Sequence, residues 1–293
     1  MTQLIQTLVL GLLLGGVYAL LASGLTLIFG VMDVINVAQG ALIILAAFIT
    51  WALWNETGLD PLLGVFVTTP AMFLVGLGIY LTTVRWIQGK PPSTSVILTF
   101  GLALVIEGVM GMVWTATLHR ATPEYFNQSF TIGDIYLRKA QVYGCAIAIG
   151  VLAILYVILR VTWLGRAIRA VSANMSSARL VGVDPTTVAA LTFAIGVATT
   201  GAGGSIAAVL YPFLPGSHYA WISRILGIIV LGGMGSLPGA VVGALLLGVA
   251  ETMTATYISP QWATMVPWAV IMLVLLLRPQ GLMGHKLRED VAL

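Results

Sequence analysis

Seven stretches of this chain run for about 20 residues or more without a single Asp, Glu, Lys or Arg. They are 1–32, 34–55, 61–84, 140–159, 185–223, 225–250 and 252–277. A hydrocarbon core about 30 Å thick is crossed by about 20 helical residues. Within it every backbone N–H and C=O needs an internal partner, which helices supply. The chain therefore reads as all-α, a polytopic membrane protein. A transmembrane barrel would instead show short alternating strands. Charge agrees, since 8% of the 293 residues are charged against about 25% in soluble domains.

The first run is expected to be a retained span, because no Lys or Arg precedes Arg85 to form the basic start of a signal peptide. The net charge of +3 sits in a few loops. It speaks to orientation and partner contact, not to nucleic acid. Cys145 is the lone cysteine, so it has no intramolecular disulfide partner and reads as a small buried hydrophobe.

Between the runs two breaks stand out. The first, Gly30 to Gly40, carries Asp33, Asn36 and Gln39. It is either a polar turn at the membrane surface or backbone leaving the helix at depth, which must then be buried in protein or line a wet cavity. The second, Gly232-Gly-Met-Gly-Ser-Leu-Pro-Gly239, holds too many helix breakers for a lipid-facing helix and predicts two half-helices in a broken or re-entrant segment. With this broken segment the chain is expected to form about eight transmembrane helices. Both breaks restart on Gly-Ala, and paired interruptions point to a transport site near the midplane. On that ground Asn36, Gln39, Gly40, Gly232, Gly233, Gly235, Ser236 and Gly239 are the candidate pathway residues.

The loop 85–95, with Arg85 and Lys90, is expected on the cytoplasmic side, and so are the stretch 161–186 and the tail with Arg278, Lys286 and Arg288. The loop 119–139 should then be external, although it carries Arg120, Arg138 and Lys139; its 130–136 segment fits a short hairpin or a surface helix. Within 161–186, Arg166 and Arg169 share one helical face. A short helix is predicted over 175–181, with Asn174 as N-cap and Gly182 as a left-handed exit. Asp184-Pro185 starts the next helix. Arginines alone are explained by positive-inside topology. A capped helix between two spans adds a shaped surface, which favours protein docking.

Catalytic chemistry finds no foothold. Gly89-Lys90 runs into Pro91 and makes no phosphate loop, the three histidines are scattered, and neither Ser205 nor Ser236 sits in a nucleophile elbow. No metal site and no cofactor are expected on this chain. Charge inside a span is expensive, so Asp33 and Glu107 are candidates to line a route and Arg224 and Glu251 a candidate pair; each also fits an interfacial or helix-satisfying role. An ion-coupled carrier working alone through Asp33 or Glu107 is the competing class.

Four blocks carry a resemblance. Gly24-Leu-Thr-Leu-Ile-Phe-Gly-Val-Met-Asp-Val-Ile-Asn-Val-Ala-Gln-Gly40 resembles the N-terminal signature of branched-chain amino acid ABC importer permeases. Gly165-Arg-Ala-Ile-Arg-Ala-Val171 with Ala178-Arg-Leu-Val-Gly-Val183 is similar to that family's cytoplasmic coupling loop. The blocks 231–243 and 277–282 match two more, and the length and short N-terminus look like the H subunit. The family commonly has Asn-Phe-Ala-His-Gly where this chain has Asn36-Val-Ala-Gln-Gly40, and it also serves urea, short amides and aromatic acids.

The resemblance implies a single transmembrane permease domain over 1–293, with a coupling loop at about 161–186, in a bacterial cytoplasmic membrane. It implies three kinds of partner beyond the bilayer: a homologous second permease, two ATPase subunits holding ATP and Mg, and an external solute-binding protein. Gly165, Arg166, Arg169, Asn174, Ala178, Arg179, Leu180 and Gly182 are the implied ATPase-coupling residues.

Overall fold

The computed structural model describes residues 2–278 and 280–284. The basic tail residues Lys286 and Arg288 lie outside the described residues. Helices α1 (Thr2–Met32), α2 (Gln39–Thr57), α3 (Val65–Thr82) and α4 (Pro92–Trp114) are followed by strands β1 (Ser129–Ile132) and β2 (Ile135–Arg138). Then come α5 (Lys139–Val161), α6 (Trp163–Ala173), α7 (Met175–Leu180), α8 (Pro185–Leu210), α9 (His218–Gly232) and α10 (Leu237–Tyr257). Short α11 (Pro260–Ala263) and α12 (Val266–Leu277) close the described chain.

Among the described residues seven helices are long and apolar enough to cross a membrane: α1 to α5, α8 and α10, with α3 extended to Trp86. α9 and α12 are shorter, at 15 and 12 residues. The last uncharged run, 252–277, is interrupted near Thr264–Met265, where Pro260 and Pro267 each open a new helix. The 130–136 segment resolves as the antiparallel hairpin β1–β2, with Ile132 opposite Ile135.

α1 and α8 form the centre. α1 packs most extensively on α10 and on α8, while α2 and α3 cover α8 from the other side. Lipid gives helices no hydrophobic drive to associate, so close backbone approach and interhelical hydrogen bonds hold them. The sequence supplies both. Gly11 and Gly15 meet the backbone of Val249 and Leu245, and a Cβ on either would sit 2.7 Å from a Cα of α10. At the α2–α3–α8 crossing Thr50, Thr68 and Ser205 close a triangle of hydroxyls with edges of 3.1, 2.8 and 2.9 Å. All three are fully buried. Gly204 beside them lets α8 press on Ile43 and Ala46.

The two ends of the bundle differ. One, the basic end, gathers the end of α1, the Lys90 turn and the α6–α7 excursion around a shared cleft. The other, the hairpin end, holds β1–β2 and the start of α1, joined where Gln6 Nε2 donates to the Tyr136 carbonyl at 3.3 Å. The arginine of the hairpin-end loop has local work. Arg120 donates to the carbonyls of Val209 and Leu210, the last of α8, at 3.4 and 2.9 Å. Lys139 donates to Gln128 Oε1 at 2.7 Å. Helix C-termini leave carbonyls without partners, and a cation there is favourable. Basic residues on this side thus answer a structural need.

Candidate functional site

The basic-end excursion is built from caps. Thr162 accepts from Gly165 N and opens α6; Asn174 Oδ1 accepts from Ser177 N at 2.9 Å and opens α7. α7 ends at Leu180, one residue earlier than expected, with Val181 as its cap. Gly182 follows at φ +80°, the left-handed exit that glycine takes without strain. Asp184 accepts from the backbone N–H of Thr186 and of Thr187, each at 3.1 Å, and from the Thr187 hydroxyl at 2.6 Å. Those three donors hold its carboxyl below the usual carboxylate range.

Of the expected coupling residues, Gly165 is buried so tightly against Leu159 that no side chain fits, and Ala178 is buried beneath α7. Arg166 and Arg169 do share a face, but both turn back. Arg166 Nη1 donates to the Val161 carbonyl at 3.0 Å and Arg169 Nη1 to the Leu159 carbonyl, both at the end of α5. Their guanidiniums brace the α5–α6 corner. The outward side also carries apolar groups. Leu180 is 89% exposed and Val181 75%, with Arg179 exposed beside them.

The first break leaves the helix at depth. Asn36, Gln39 and Gly40 are buried, while Gly30 and Asp33, the latter at φ 52°, are exposed at the end of α1. Gln39 donates from Nε2 to the Gly196 carbonyl at 3.2 Å and accepts from Asn36 Nδ2 at 3.0 Å. Gly196 lies 11 residues into α8, about 16 Å from its start at 1.5 Å per residue, so the break reaches the middle of the bundle. The loosened backbone is satisfied by one side chain that sequence reading missed. Thr99 of α4 accepts from Val37 N at 3.0 Å, and its single hydroxyl proton faces the Ser95 carbonyl at 2.7 Å and the Ile35 carbonyl at 3.1 Å. This is the in-protein satisfaction that lipid depth demands. Asn36 Oδ1 is buried without a protein partner. Gly40 lies against the start of α9, where a Cβ would come 2.5 Å from the His218 carbonyl.

The second break spans 233–236, with Gly233 and Gly235 at φ +102° and +80°. Ser236 accepts from Gly239 N at 3.1 Å and caps α10. Gly232 and Gly239 touch backbone to backbone, so neither admits a side chain. The last carbonyls of α9 are taken by the C-terminal motif: Leu282 N donates to the Leu231 carbonyl at 2.8 Å and Met283 N to that of Gly232 at 2.9 Å. The two breaks meet, since a Cβ on Gly30 would lie 3.3 Å from the Gly235 carbonyl. A cleft of about 530 Å³ joins Gly30–Val34, the Lys90–Pro92 turn and Val171–Ser176. The start of α7 and the first break share it.

The charged residues within spans are all placed. Arg224 Nε donates to Glu251 Oε1 at 3.1 Å, and Tyr18 donates to Glu251 Oε2 at 2.5 Å. Glu107 Oε2 lies 3.0 Å from His218 Nε2 and 3.4 Å from the Tyr219 hydroxyl. Among the described residues no group of His, Cys, Asp and Glu stands close enough to hold a metal.

Comparison with known proteins places this architecture. The family profile described as "Branched-chain amino acid transport system / permease component" matches residues 7–275. The high-affinity branched-chain amino acid transport system permease protein BraD of Pseudomonas aeruginosa is 30% identical, over 98% of both chains. The corresponding protein LivH of Salmonella typhimurium is 28% identical, over 96% of both. The permease protein LivM of Salmonella typhimurium is 25% identical over 91% of this chain and 68% of its own length. No solved structure matches the chain.

Proposed function

The chain belongs to the branched-chain amino acid transport system permease family, and from that premise we propose that it forms half of the translocation pathway of an ATP-driven importer. The solutes are branched-chain or related amino acids. The other half is a homologous permease, two ATPase subunits supply ATP hydrolysis, and an external binding protein delivers solute. The basic end faces the cytoplasm, in line with the positive-inside bias of Lys90, Arg160, Arg166, Arg169 and Arg179.

The observation that carries this reading is the exposed apolar tip of α7. Leu180 and Val181 stand almost fully out of the protein, on a helix fixed by Asn174 at one end and Gly182 at the other. An exposed apolar knob on a rigid mount suits a partner's groove. A push on that knob has a route inward. α7 leads through Asn174 into α6, the α6–α7 junction and the first break line one cleft, and the first break abuts the second at Gly30 and Gly235. ATP-driven closure at α7 thereby shifts both interruptions together and alternates access.

The decisive experiment reconstitutes this chain in proteoliposomes with its partner permease, the ATPases and the binding protein. The expected result is leucine uptake that requires ATP and is absent with this chain alone. Gradient-driven accumulation by this chain alone overturns the reading in favour of an independent carrier.

A further inference from the structure

Glu107 is the one carboxylate of α4, 15 residues after its start at Pro92 and seven before its end at Trp114. Seven residues of helix place it about 10 Å below the hairpin end, inside the span. A carboxylate at that depth is expensive in lipid and belongs in a protein interior or a wet cavity. Yet its side chain is 28% exposed.

Its surroundings leave half of it free. An ionised carboxylate only accepts hydrogen bonds, so His218 Nε2 donates to Oε2 at 3.0 Å, with the Tyr219 hydroxyl at 3.4 Å from the same oxygen. Among the described residues no protein donor reaches Oε1. His218 is 2% exposed, whereas Tyr219 is 48% exposed, so the buried imidazole braces the carboxylate and the half-exposed phenol ring lies against the imidazole, with ring centroids 4.0 Å apart. A Cβ added at Gly216 would stand 3.5 Å from Oε1. Behind them His218 presses its backbone carbonyl on Gly40 of the first break. Gln39, the earlier pathway candidate, is fully buried in the α1–α8 crossing.

Resting on the transport reading above, we infer that Glu107 and Tyr219 form a solute subsite on the α4–α9 face, with the free Glu107 oxygen receiving the primary ammonium of an amino acid. A fixed anion with an open aromatic ring beside it suits a small ammonium, through charge-assisted hydrogen bonding and cation–π attraction. Glu107 also discriminates by class, since a solute with no cationic nitrogen gains nothing there.

The test uses the reconstituted importer with Glu107→Gln, which keeps an acceptor oxygen for His218 and Tyr219 and removes the charge. The expected result is leucine uptake reduced by about tenfold or more, with subunit assembly unchanged. Uptake equal to wild type overturns the subsite and leaves the transport reading standing. A wild-type importer without ATP-dependent uptake overturns the transport reading itself. Should Glu107→Gln assemble poorly, Glu107→Cys in a Cys145→Ala chain answers by accessibility. A cationic, water-soluble methanethiosulfonate labels it, and leucine slows the labelling while leucine's 2-oxo analogue does not. No labelling, or equal protection by both compounds, overturns the proposal.

Discussion

Arg224 of α9 and Glu251 of α10 form an ion pair across the second break, Nε to Oε1 at 3.1 Å, with Tyr18 of α1 closing the other carboxylate oxygen. The pair ties α9 to α10 well away from the break, eight residues before the end of α9 at Gly232 and 14 residues after the start of α10 at Leu237. Glu251 is 7% exposed and Arg224 16% by side chain, so each depends on the other for solvation. Removing one partner of a buried pair costs about 3–5 kcal/mol, chiefly because the survivor is left unpaired. Glu251→Leu should therefore lower the thermal unfolding midpoint of the purified protein sharply. Adding Arg224→Met should recover much of the loss, and equal destabilisation by single and double variants would contradict this account.

Thr99 invites a cleaner test. One hydroxyl of α4 accepts from the Val37 N–H of the first break, its single proton facing the Ser95 and Ile35 carbonyls, and Thr99 is fully buried. Thr99→Val keeps the shape and strands the Val37 N–H, at about 1–3 kcal/mol for a group left unsatisfied. Thr99→Ser keeps the hydroxyl and should stay close to wild type. Unfolding midpoints that rank Ser near wild type and Val well below would bear this out.

The tip of α7 separates stability from function. Leu180 touches little of its own chain, and exposed substitutions of this kind usually stay within about ±0.5 kcal/mol. Leu180→Glu is thus expected to fold and insert normally, yet to lose solute-stimulated ATP hydrolysis in the reconstituted importer. Arg166→Glu and Arg169→Glu should behave differently. They remove the braces on the Val161 and Leu159 carbonyls and should lower stability as well as coupling.

These contrasts show which features were legible in the sequence. Asn174, Gly182 and Asp184 announce themselves because a cap is decided within four residues, and each does what its position suggests. The second break was equally plain, since Gly233 and Gly235 take conformations that few other residues adopt. What escaped were partnerships across the chain. Nothing near residue 36 names Thr99 as its support, and nothing near residue 233 predicts that Gly281–Gly284 will pack on it. The arginines misled in a physical way. Spacing put Arg166 and Arg169 on one face, but side chains that long can turn back to the preceding helix end. Leu180 carried the better signal, an apolar residue directly beside Arg179 at the end of a short capped helix.

The start of α8 should respond to acid through Asp184. Its carboxyl is held below the ordinary value by the Thr187 hydroxyl first, then by the backbone N–H groups of Thr186 and Thr187. A group whose pKa is depressed on folding stabilises the native state above its unfolded value and loses that contribution as pH falls through the native one. The window therefore lies at and below the ordinary carboxylate value of 3.8, and above it the cap is fully engaged. Hydrogen exchange of the Thr186 and Thr187 amides should be slow at neutral pH relative to an uncapped control. It should lose that protection on acidification through this window, after correction for intrinsic rates. Asp184→Asn keeps a neutral acceptor for the backbone, so the variant should retain partial protection that no longer varies with pH. A wild-type profile as flat as that of Asp184→Asn would mean that the carboxylate is not what holds the entrance of α8.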